Sequence, residues 1–421
     1  MMLPQSRKLG ETNGVSANAD VLPPGAVRAQ HYAVLLRLLW AHRELSRAEL
    51  ARRTGLSRST VSAIVNDILA SGIVRETRAG SSSGGRRPIM LGFNDDARII
   101  LGLDIGATHV GALTMNLRGK ILTRRSYSMN TRSHPKETLA LIADLGREVL
   151  REVPSADLLG VGAGVPAPLH PKTKRLLRTV MPQWHDIDVA EALQDLFSCP
   201  VRLDNDANLG ALAEQWWGAG KAGEDLVFVK VATGIGAGLI IGGHIVHGAH
   251  GVAGELGHLS VDPNGPPCSC GVNGCLNVII GTSALLARAE ARRPHFPDSM
   301  LHGAPVTLVQ LIEAVHQQDP LAMEIIRFAG ERLGAGLANL LNVLDPSIVV
   351  LGGQITQVGE PLLKTVRQTV LRRTLVTSLG EERVVRSQID EQSVALGAAT
   401  LILRAALETQ EIPLAASTEN A

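Results

Sequence analysis

The first 93 residues combine a polar segment without periodicity and three stretches with helical spacing. Residues 1–27 are rich in Gly, Ser, Asn and Pro and show no repeating apolar pattern, which predicts a disordered tail. From Gln30 to His42 the apolar residues recur at helical spacing, so this stretch is predicted to form an amphipathic helix. Its predicted apolar face consists of Val34, Leu35, Leu38 and Leu39.

Two further helices are indicated by capping residues. Ser46 with Glu49 three positions later has the pattern of a capping box, and the helix that it opens ends near Gly55. Ser57 caps a third helix that continues to about Ala70. The small, turn and apolar positions expected of a helix-turn-helix are Ala51, Gly55, Val61 and Ile64. The exposed start of the third helix then carries the candidates for base and phosphate contacts, Arg58, Ser59, Thr60 and Ser62.

A wing is predicted after these helices. Two short β-like stretches follow Gly72 on either side of a Gly- and Ser-rich tip, and Arg86 and Arg87 come directly after that tip. Arginines in such a position enter a minor groove or grip phosphates. Residues 28–93 are therefore predicted to form a winged helix-turn-helix domain that binds DNA. A three-helix protein-interaction module with a solvated basic loop is the alternative, and the turn glycine and the arginines favour DNA.

From Ile99 onward the pattern changes to apolar strands that are separated by glycine-rich turns. The first turn exposes backbone N–H groups and a hydroxyl to phosphate, and its aspartate suits a magnesium ion. Taken singly, each turn is as compatible with an ordinary tight turn as with nucleotide binding. The predicted nucleotide-binding positions are Asp104, Gly106, Thr108, Thr233, Gly234, Gly236, Gly352 and Gly353. This body covers residues 98–408, and residues 409–421 are predicted to form a flexible tail.

Charge separates the two parts of the chain. Residues 1–98 contain 14 basic and 8 acidic residues and the remainder contains 27 and 32, although the whole chain of 421 residues carries only +1. A basic front end on an acidic body indicates a polyanionic partner for the front end alone. Neither a signal-peptide core nor an apolar stretch of roughly 18 to 20 residues is present, so we expect a soluble cytoplasmic protein without a membrane partner.

Three of the four cysteines lie close to one histidine in a Gly- and Pro-rich stretch. The ligand set His258, Cys268, Cys270 and Cys275 suits tetrahedral zinc, and a site with four protein ligands is usually structural. Unconnected free thiols near an unrelated histidine are the alternative, which the turn-rich setting disfavours. Cys199 is predicted to be a buried thiol. Because Glu255 lies three residues before the histidine, it is the first candidate for a side chain that the metal holds in position.

The order of these features resembles the two-lobed ATPase fold that actin, hexokinase and sugar kinases share. The motifs LDNDAN, GELGH and CSCGVNGC, in this order, make residues 30–405 similar to the ROK family of bacterial sugar kinases and sugar-responsive transcription factors. The resemblance implies an α/β fold whose two lobes hinge near residues 204 and 393, with a zinc knuckle. A helix-turn-helix front end marks the regulators of that family, and the kinases usually lack it.

The resemblance also assigns roles to particular residues. The positions that would contact a sugar are Asn205, Asp206, Glu255, His258 and Asn277. His258 would use one ring nitrogen for the sugar and the other for zinc, so the structural ion orients a sugar-binding group. In a kinase Asp206 would be the general base on a sugar hydroxyl, and ATP and Mg would be the cofactors. An ordinary N-cap aspartate is the alternative role for Asp206.

Four positions depart from the kinase pattern, and one of them is Ala167, which stands where the sugar-side turn of the family ends in glycine. The kinases typically have glycine at the position of Ala107 and lysine at the position of His109, and Asn277 stands where a glutamate is usual. A change from carboxylate to amide replaces a pure acceptor by a mixed donor and acceptor. These differences predict altered sugar specificity or lost catalysis.

We therefore expect a sugar-responsive DNA-binding transcriptional regulator of carbohydrate metabolism, a repressor that associates with the bacterial nucleoid. An ATP-dependent sugar kinase with an appended DNA-binding domain is the alternative, and a zinc-stabilised scaffold without a ligand is a weaker one. Because one helix-turn-helix reads only a short half-site, we expect a homodimer or a dimer of dimers on a palindromic operator.

Overall fold

The protein consists of a winged-helix domain and a two-lobed α/β body. The computed structural model describes residues 24–79, 88–153, 157–177, 181–221, 225–302, 305–375, 383–389 and 392–408. The two tail predictions therefore lie largely outside the described residues, as do Arg86 and Arg87. No helix in these ranges has the length and apolarity that a bilayer crossing requires.

The winged-helix domain contains three helices and a three-stranded antiparallel sheet. Its elements are α1 (Pro24–His42), β1 (Glu44–Ser46), α2 (Arg47–Thr54), α3 (Arg58–Ala70), β2 (Val74–Ala79) and β3 (Ile89–Phe93), with strand order β1-β3-β2. Ser46 and Ser57 cap α2 and α3 through hydrogen bonds from the backbone N–H groups of Glu49 and Thr60. Gly55 ends α2 in the left-handed conformation, at φ 72°. The two serine caps therefore located these helices correctly, whereas the Glu49 carboxylate, the other half of the expected capping box, pairs with Arg52 and Arg53.

Two details of this domain differ from the sequence-based expectation. α1 begins at Pro24, so residues 24–27 are helical although they were assigned to the tail; proline is well suited to the first helical position, where its missing N–H costs nothing. The buried residues of α1 include Leu36, whereas Leu38 is only half-buried. The reason is that α1 packs both on its own domain and on the last helix of the body, so no single apolar face exists.

The first lobe of the body is a mixed five-stranded sheet with order β6-β5-β4-β7-β8. Its elements are β4 (Arg98–Ile105), β5 (His109–Asn116), β6 (Ile121–Ser128), α4 (Pro135–Arg151), β7 (Asp157–Val165), α5 (Val189–Phe197) and β8 (Val201–Asn205). Strands β4 and β7 are buried along almost their whole length, which accounts for their continuous apolar sequences.

The second lobe repeats this plan with strand order β11-β10-β9-β12-β13. Its strands are β9 (Leu226–Val231), β10 (Ile235–Ile241), β11 (His244–Ile245), β12 (Ile348–Gly352) and β13 (Val384–Arg386). Its helices are α7 (Leu276–Ile280), α8 (Thr282–Arg292), α9 (Leu308–His316), α10 (Pro320–Leu344) and α11 (Glu360–Arg373). The turn between β9 and β10 contains the second predicted phosphate loop, and the end of β12 contains the third.

Two helices connect the lobes. α6 (Asp206–Trp217) leaves β8 and packs against β9 and β10, whereas α12 (Ser393–Glu408) packs against β4 and β7. The two helices also pack extensively on each other, so they form the layer between the two sheets. The chain therefore passes between the lobes at the two positions, near 204 and 393, where hinges were predicted.

An aromatic cluster joins the winged-helix domain to the body. The Trp40 ring on α1 lies 5.5 Å from the Trp216 ring and 6.4 Å from the Trp217 ring, measured between centroids, and both partners are at the end of α6. The Arg118 guanidinium lies 5.1 Å from the Trp40 centroid and 5.2 Å from that of Phe93. A guanidinium group that lies above an aromatic ring is attracted by the negative face of that ring. We call Trp40, Trp216, Trp217 and Arg118 the junction cluster.

Candidate functional site

A cleft of about 710 Å³ lies between the two lobes, within the size range of small-molecule sites. Both lobes and the start of α12 contribute to its lining. The sequence-predicted residues that line it are Asp104, Thr108, Asn205, Asp206, Thr233, Gly234, Gly236, Glu255, His258, Asn277 and Gly353. Positions that are far apart in the sequence thus meet in one cavity. Gly106 and Gly352 lie behind its surface, against the rings of His109 and Phe228 respectively.

The start of α6 presents Asn205 and Asp206 to the cleft. Asn205 is the N-cap residue, and its side-chain oxygen accepts a hydrogen bond of 2.9 Å from the backbone N–H of Ala207. Asp206 is the first residue of the helix, where the helix dipole stabilises a negative charge. The capping preference explains the local conformation, and it leaves the Asp206 carboxylate free to face the cavity.

Lys230 pairs with Asp206 and was missed by the sequence analysis. Its ammonium group lies 2.7 Å from Asp206 Oδ2, and both side chains are largely buried. Burial lowers the pKa of Lys230, but the negative charges of Asp206 and Asp104 outweigh it, so the net shift is upward. The signal was present in the sequence, because Lys230 interrupts the otherwise apolar strand β9. A cation inside an apolar strand indicates a buried partner.

The first predicted phosphate turn is covered by one of its own side chains. His109 Nε2 donates a hydrogen bond of 3.0 Å to Asp104 Oδ2, and a Cβ atom added at Gly106 would lie only 2.2 Å from the His109 ring. The bond to Asp104 raises the pKa of His109. Burial alone would raise the pKa of Asp104, but the hydrogen bond and the nearby positive charges lower it. Asp104 Oδ1 is buried and has no hydrogen-bond partner among the described residues.

Glu255 and Asn277 line the cleft from the second lobe. Burial, together with the charge of Asp206, raises the pKa of Glu255 to about 6. The side-chain oxygen of Asn277 accepts a hydrogen bond of 2.6 Å from the backbone N–H of Ile235, so this amide holds the turn between β9 and β10. The residue at which the sequence analysis noted a departure from the kinase pattern is thus in direct contact with the second predicted phosphate turn.

The four predicted metal ligands converge. His258 Nδ1 lies 3.5 Å from Cys268 Sγ, Cys270 Sγ lies 3.5 Å from Cys275 Sγ, and all four ligand atoms are within 4.8 Å of one another. Tetrahedral zinc, with bonds of about 2.3 Å to sulfur and about 2.0 Å to nitrogen, separates its ligands by about 3.5–3.8 Å. Without a metal, burial and the adjacent thiols raise the pKa of Cys275 to about 12, and a bound cation would favour its thiolate form. The donor set and its spacing fit zinc.

The orientation of His258 connects this cluster to the cleft. Its Nδ1 atom faces Cys268, and its Nε2 atom lies 3.9 Å from Glu255 Oε2 on the cleft side. The two ring nitrogens thus face different groups, and the contacts of His258 with a sugar and with a metal remain predictions.

Comparison with known protein families gives a match for each of the two parts of the chain. The model of the ROK family matches residues 100–405. The chain belongs to the ROK family. A MarR family model matches residues 28–87, which is the winged-helix part.

ROK relatives resemble this chain over different lengths. The xylose repressor of Bacillus spizizenii is 31% identical over 386 residues, which cover 91% of this chain and 97% of that protein. A crystal structure of a ROK family transcriptional regulator, a homologue of the Escherichia coli MLC protein, superposes with a TM-score of 0.79 at 23% identity and covers 91% of this chain and 97% of its own. The glucokinase of Streptomyces griseus, solved with glucose and AMPPNP, has a TM-score of 0.64 at 28% identity and covers 72% of this chain and 98% of its own. The repressor and the regulator thus align with about nine-tenths of this chain, whereas the glucokinase aligns with less than three-quarters of it.

The winged-helix domain exposes part of its predicted DNA-binding set. Arg58 and Ser59 are exposed at the start of α3, whereas Thr60 and Ser62 are half-buried. The Ser57 hydroxyl lies 2.8 Å from the hydroxyls of both Ser59 and Thr60, so these groups form a small polar network around the cap. Contacts of these four residues with bases or phosphates remain predictions.

Proposed function

We propose that this protein is a sugar-responsive DNA-binding regulator that represses genes of carbohydrate metabolism in the cytoplasm. The observation that carries this proposal is that a winged helix and a ROK body share a hydrophobic core cluster in one chain. A xylose repressor also aligns with 91% of this chain, which includes residues of both parts. DNA is bound by the winged helix. The ligand in the cleft is a sugar, and its occupancy changes the affinity for DNA.

The sugar is held by polar side chains from both lobes. Asn205 and Asp206 lie at the N-terminal end of α6, and Glu255, His258 and Asn277 belong to the second lobe. Several donors and acceptors aimed at hydroxyl groups discriminate strongly between sugars, because an unpaired buried group is costly. A ligand that bridges both lobes binds the closed form best, which is the differential affinity that linkage requires.

Zinc is the metal that we propose for the four-residue cluster. The ligands are His258, Cys268, Cys270 and Cys275. When bound, the ion neutralises the thiolates and fixes the knuckle. Its functional consequence is indirect, because it holds the imidazole of His258 toward the cleft.

Two ion pairs disfavour phosphoryl transfer. Lys230 binds Asp206, which weakens this carboxylate as a general base, and His109 lies over the turn that would receive a phosphate. An ATP-dependent hexose kinase is nevertheless the second candidate, because most predicted nucleotide-binding residues line the same cleft and a glucokinase shares the fold. In that case Asp206 would be the general base and ATP with Mg the cofactors.

The DNA target that we propose is palindromic. A symmetric homodimer, or a dimer of dimers, presents two α3 helices to half-sites about 34–36 Å apart. Arg58, Ser59, Thr60 and Ser62 reach the major groove, and Arg86 and Arg87 grip the backbone or the minor groove from the wing.

The test is a DNA-binding titration with and without sugars. The full chain is titrated onto duplex DNA from the region upstream of its own coding sequence, alone and with D-xylose, D-glucose and other pentoses and hexoses. We expect one sugar to change the DNA affinity by about 5- to 150-fold. Coupled assays with ATP and magnesium form the other arm. If a sugar causes ADP release and no sugar changes DNA binding, the regulator proposal is wrong and the kinase proposal takes its place.

A further inference from the structure

A hydrogen bond connects the two lobes beside the cleft and involves neither the zinc cluster nor a predicted ligand contact. His247 Nε2 donates to Asp204 Oδ2 over 2.7 Å. Asp204 is the penultimate residue of β8 in the first lobe, and His247 follows β11 in the second lobe. The bond therefore spans the boundary that must change when the lobes move.

Asp204 also organises the first half of the predicted sugar site. Its other oxygen, Oδ1, accepts hydrogen bonds from the backbone N–H of Asn205, at 2.7 Å, and from the side chain of Asn208, at 2.9 Å. The Asp204 side chain is only 6% exposed, so its charge depends on these donors. A single carboxylate thus fixes the turn that presents Asn205 and receives His247.

The loop that carries His247 ends at Glu255, one of the three predicted sugar-contacting residues of the second lobe. Along this segment, from His247 to Glu255, the backbone makes a second contact with the first lobe. That contact is at Gly251, where an added Cβ atom would lie 2.0 Å from the carbonyl oxygen of Leu169. The backbone N–H of Ala253 binds the carbonyl oxygen of His247 over 3.2 Å, which makes the loop compact. A shift at His247 is therefore transmitted toward Glu255.

We propose that His247 is a positioning residue that latches the loop before Glu255 to Asp204 and so sets the distance between the two halves of the sugar site. The ligand part of this inference rests on the proposed function, because it takes the cleft to bind a sugar. The side chain of His247 is 38% exposed, so the imidazole is hydrated when the latch opens, whereas Asp204 keeps its donors from Asn205 and Asn208. The latch is therefore reversible.

Two substitutions at His247 separate hydrogen bonding from simple packing. His247→Phe keeps a ring but removes the donor, and His247→Gln keeps an N–H donor at the end of a shorter polar chain. His250→Gln is the matched control, because His250 is an exposed histidine on the same loop. Asp204→Asn is a second test of the bond, since one acceptor oxygen becomes an N–H donor that must face either His247 or Asn208.

The first measurement needs no ligand. Hydrogen–deuterium exchange of the full chain is followed in residues 204–208 and 246–258, because breaking the latch exposes backbone groups there. We expect faster exchange in both segments for His247→Phe and Asp204→Asn, and exchange like the wild type for His247→Gln and His250→Gln. Unchanged exchange in both His247→Phe and Asp204→Asn overturns the latch.

The second measurement uses D-xylose and D-glucose in calorimetric titrations. A hydrogen bond to a charged group corresponds to roughly a 10- to 100-fold loss of affinity when its partner is removed, so we expect a loss of this order for His247→Phe, with recovery in His247→Gln. Equal affinities for the phenylalanine and glutamine variants would contradict a role for the bond in ligand binding. If no sugar binds the wild-type protein, the sugar-sensing proposal fails for those sugars, while the exchange data still decide whether the latch exists.

Discussion

At the residue scale, the cleft is dominated by side chains that neutralise one another. His109 donates a hydrogen bond to Asp104, and Lys230 pairs with Asp206, so both carboxylates that a kinase would use already have a basic side chain as partner. Such pairs are stable only while both members remain, because a lone buried charge is costly. These two pairs are the reason why we propose that the cleft binds a ligand without transferring a proton.

The His109–Asp104 pair makes stability depend on pH. The pKa of His109 is raised above its ordinary value of about 6.5, so its contribution is complete below that value and is lost as the pH rises through the folded-state pKa. The pKa of Asp104 is lowered, so its contribution is complete above about 3.8 and is lost as the pH falls further. We expect the melting temperature of the wild type, relative to His109→Gln, to decrease as the pH rises above about 6.5. Parallel thermal melts between roughly pH 5 and pH 9 measure this difference, and identical pH profiles for the wild type and His109→Gln would contradict it.

The zinc cluster gives a second prediction at this scale. Cys268→Ser or Cys270→Ser should reduce the zinc content of freshly purified protein and destabilise the fold by about 4 kcal/mol or more, as expected when a structural metal is lost. Cys199→Ser is the control, because Cys199 lies outside the cluster and burial raises its pKa to about 11. Metal analysis by mass spectrometry and thermal melts provide the measurements. If freshly purified wild-type protein contains no zinc, the zinc proposal is wrong.

At the scale of elements, α3 is the helix that we propose reads DNA. Its cap and its buried residues Val61, Ile64, Val65 and Ile68 hold it in the domain, which leaves its first turn exposed. Replacing an exposed residue of that turn should therefore affect DNA binding without unfolding the domain.

Arg58→Ala tests this expectation. We predict a loss of DNA affinity of about 1–3 kcal/mol with an unchanged melting temperature, because Arg58 is exposed and no salt bridge among the described residues includes it. Arg327→Ala is the control, since Arg327 is an exposed arginine on α10 in the distant second lobe. Fluorescence anisotropy with labelled duplex DNA measures both affinities. Equal affinities for the two variants would argue against α3 as the recognition helix.

At the scale of the whole molecule, α6 runs from the cleft to the winged-helix domain. Asp206 is at its start, and Trp216 and Trp217 at its end contact Trp40 of α1. Twelve residues of α-helix span about 18 Å, so a single rigid element covers the distance between the cleft and the junction cluster. Movement of the lobes on ligand binding is expected to reach the DNA-binding domain along this helix.

Trp40→Ala should weaken this coupling. We expect the sugar-induced change in DNA affinity to fall below about twofold, compared with the 5- to 150-fold that is typical of linked sites, while sugar affinity itself stays near that of the wild type. Trp184→Phe is the control, because Trp184 is buried in the first lobe, where its Nε1–H donates to the carbonyl oxygen of Thr131. Sugar and DNA titrations of each variant give the coupling factor. A coupling in Trp40→Ala equal to that of the wild type would exclude the junction cluster as the route.

Local sequence signals were sufficient for the elements whose cause lies within a few residues. The caps at Ser46 and Ser57 and the turn at Gly55 depend on neighbouring backbone groups, and the structure has them where the sequence predicts them. The cysteine knuckle is similarly local, because its four ligands lie within 18 residues of sequence and turn residues bring them together. The resemblance carried by the motif order was enough for the family and the two-lobed fold.

Only the tertiary structure decided which partners these residues have. The pairing of Lys230 with Asp206 and of His247 with Asp204 depends on how the two lobes meet, and no local pattern contains that information. The same is true of α1, whose buried residues follow from packing against α12 of the body and not from its own periodicity. Sequence determines periodicity, caps and the chemistry that is available, because these act over a few residues. Which charges neutralise each other, and therefore what the cleft can do, is determined by contacts between residues that are distant in the chain.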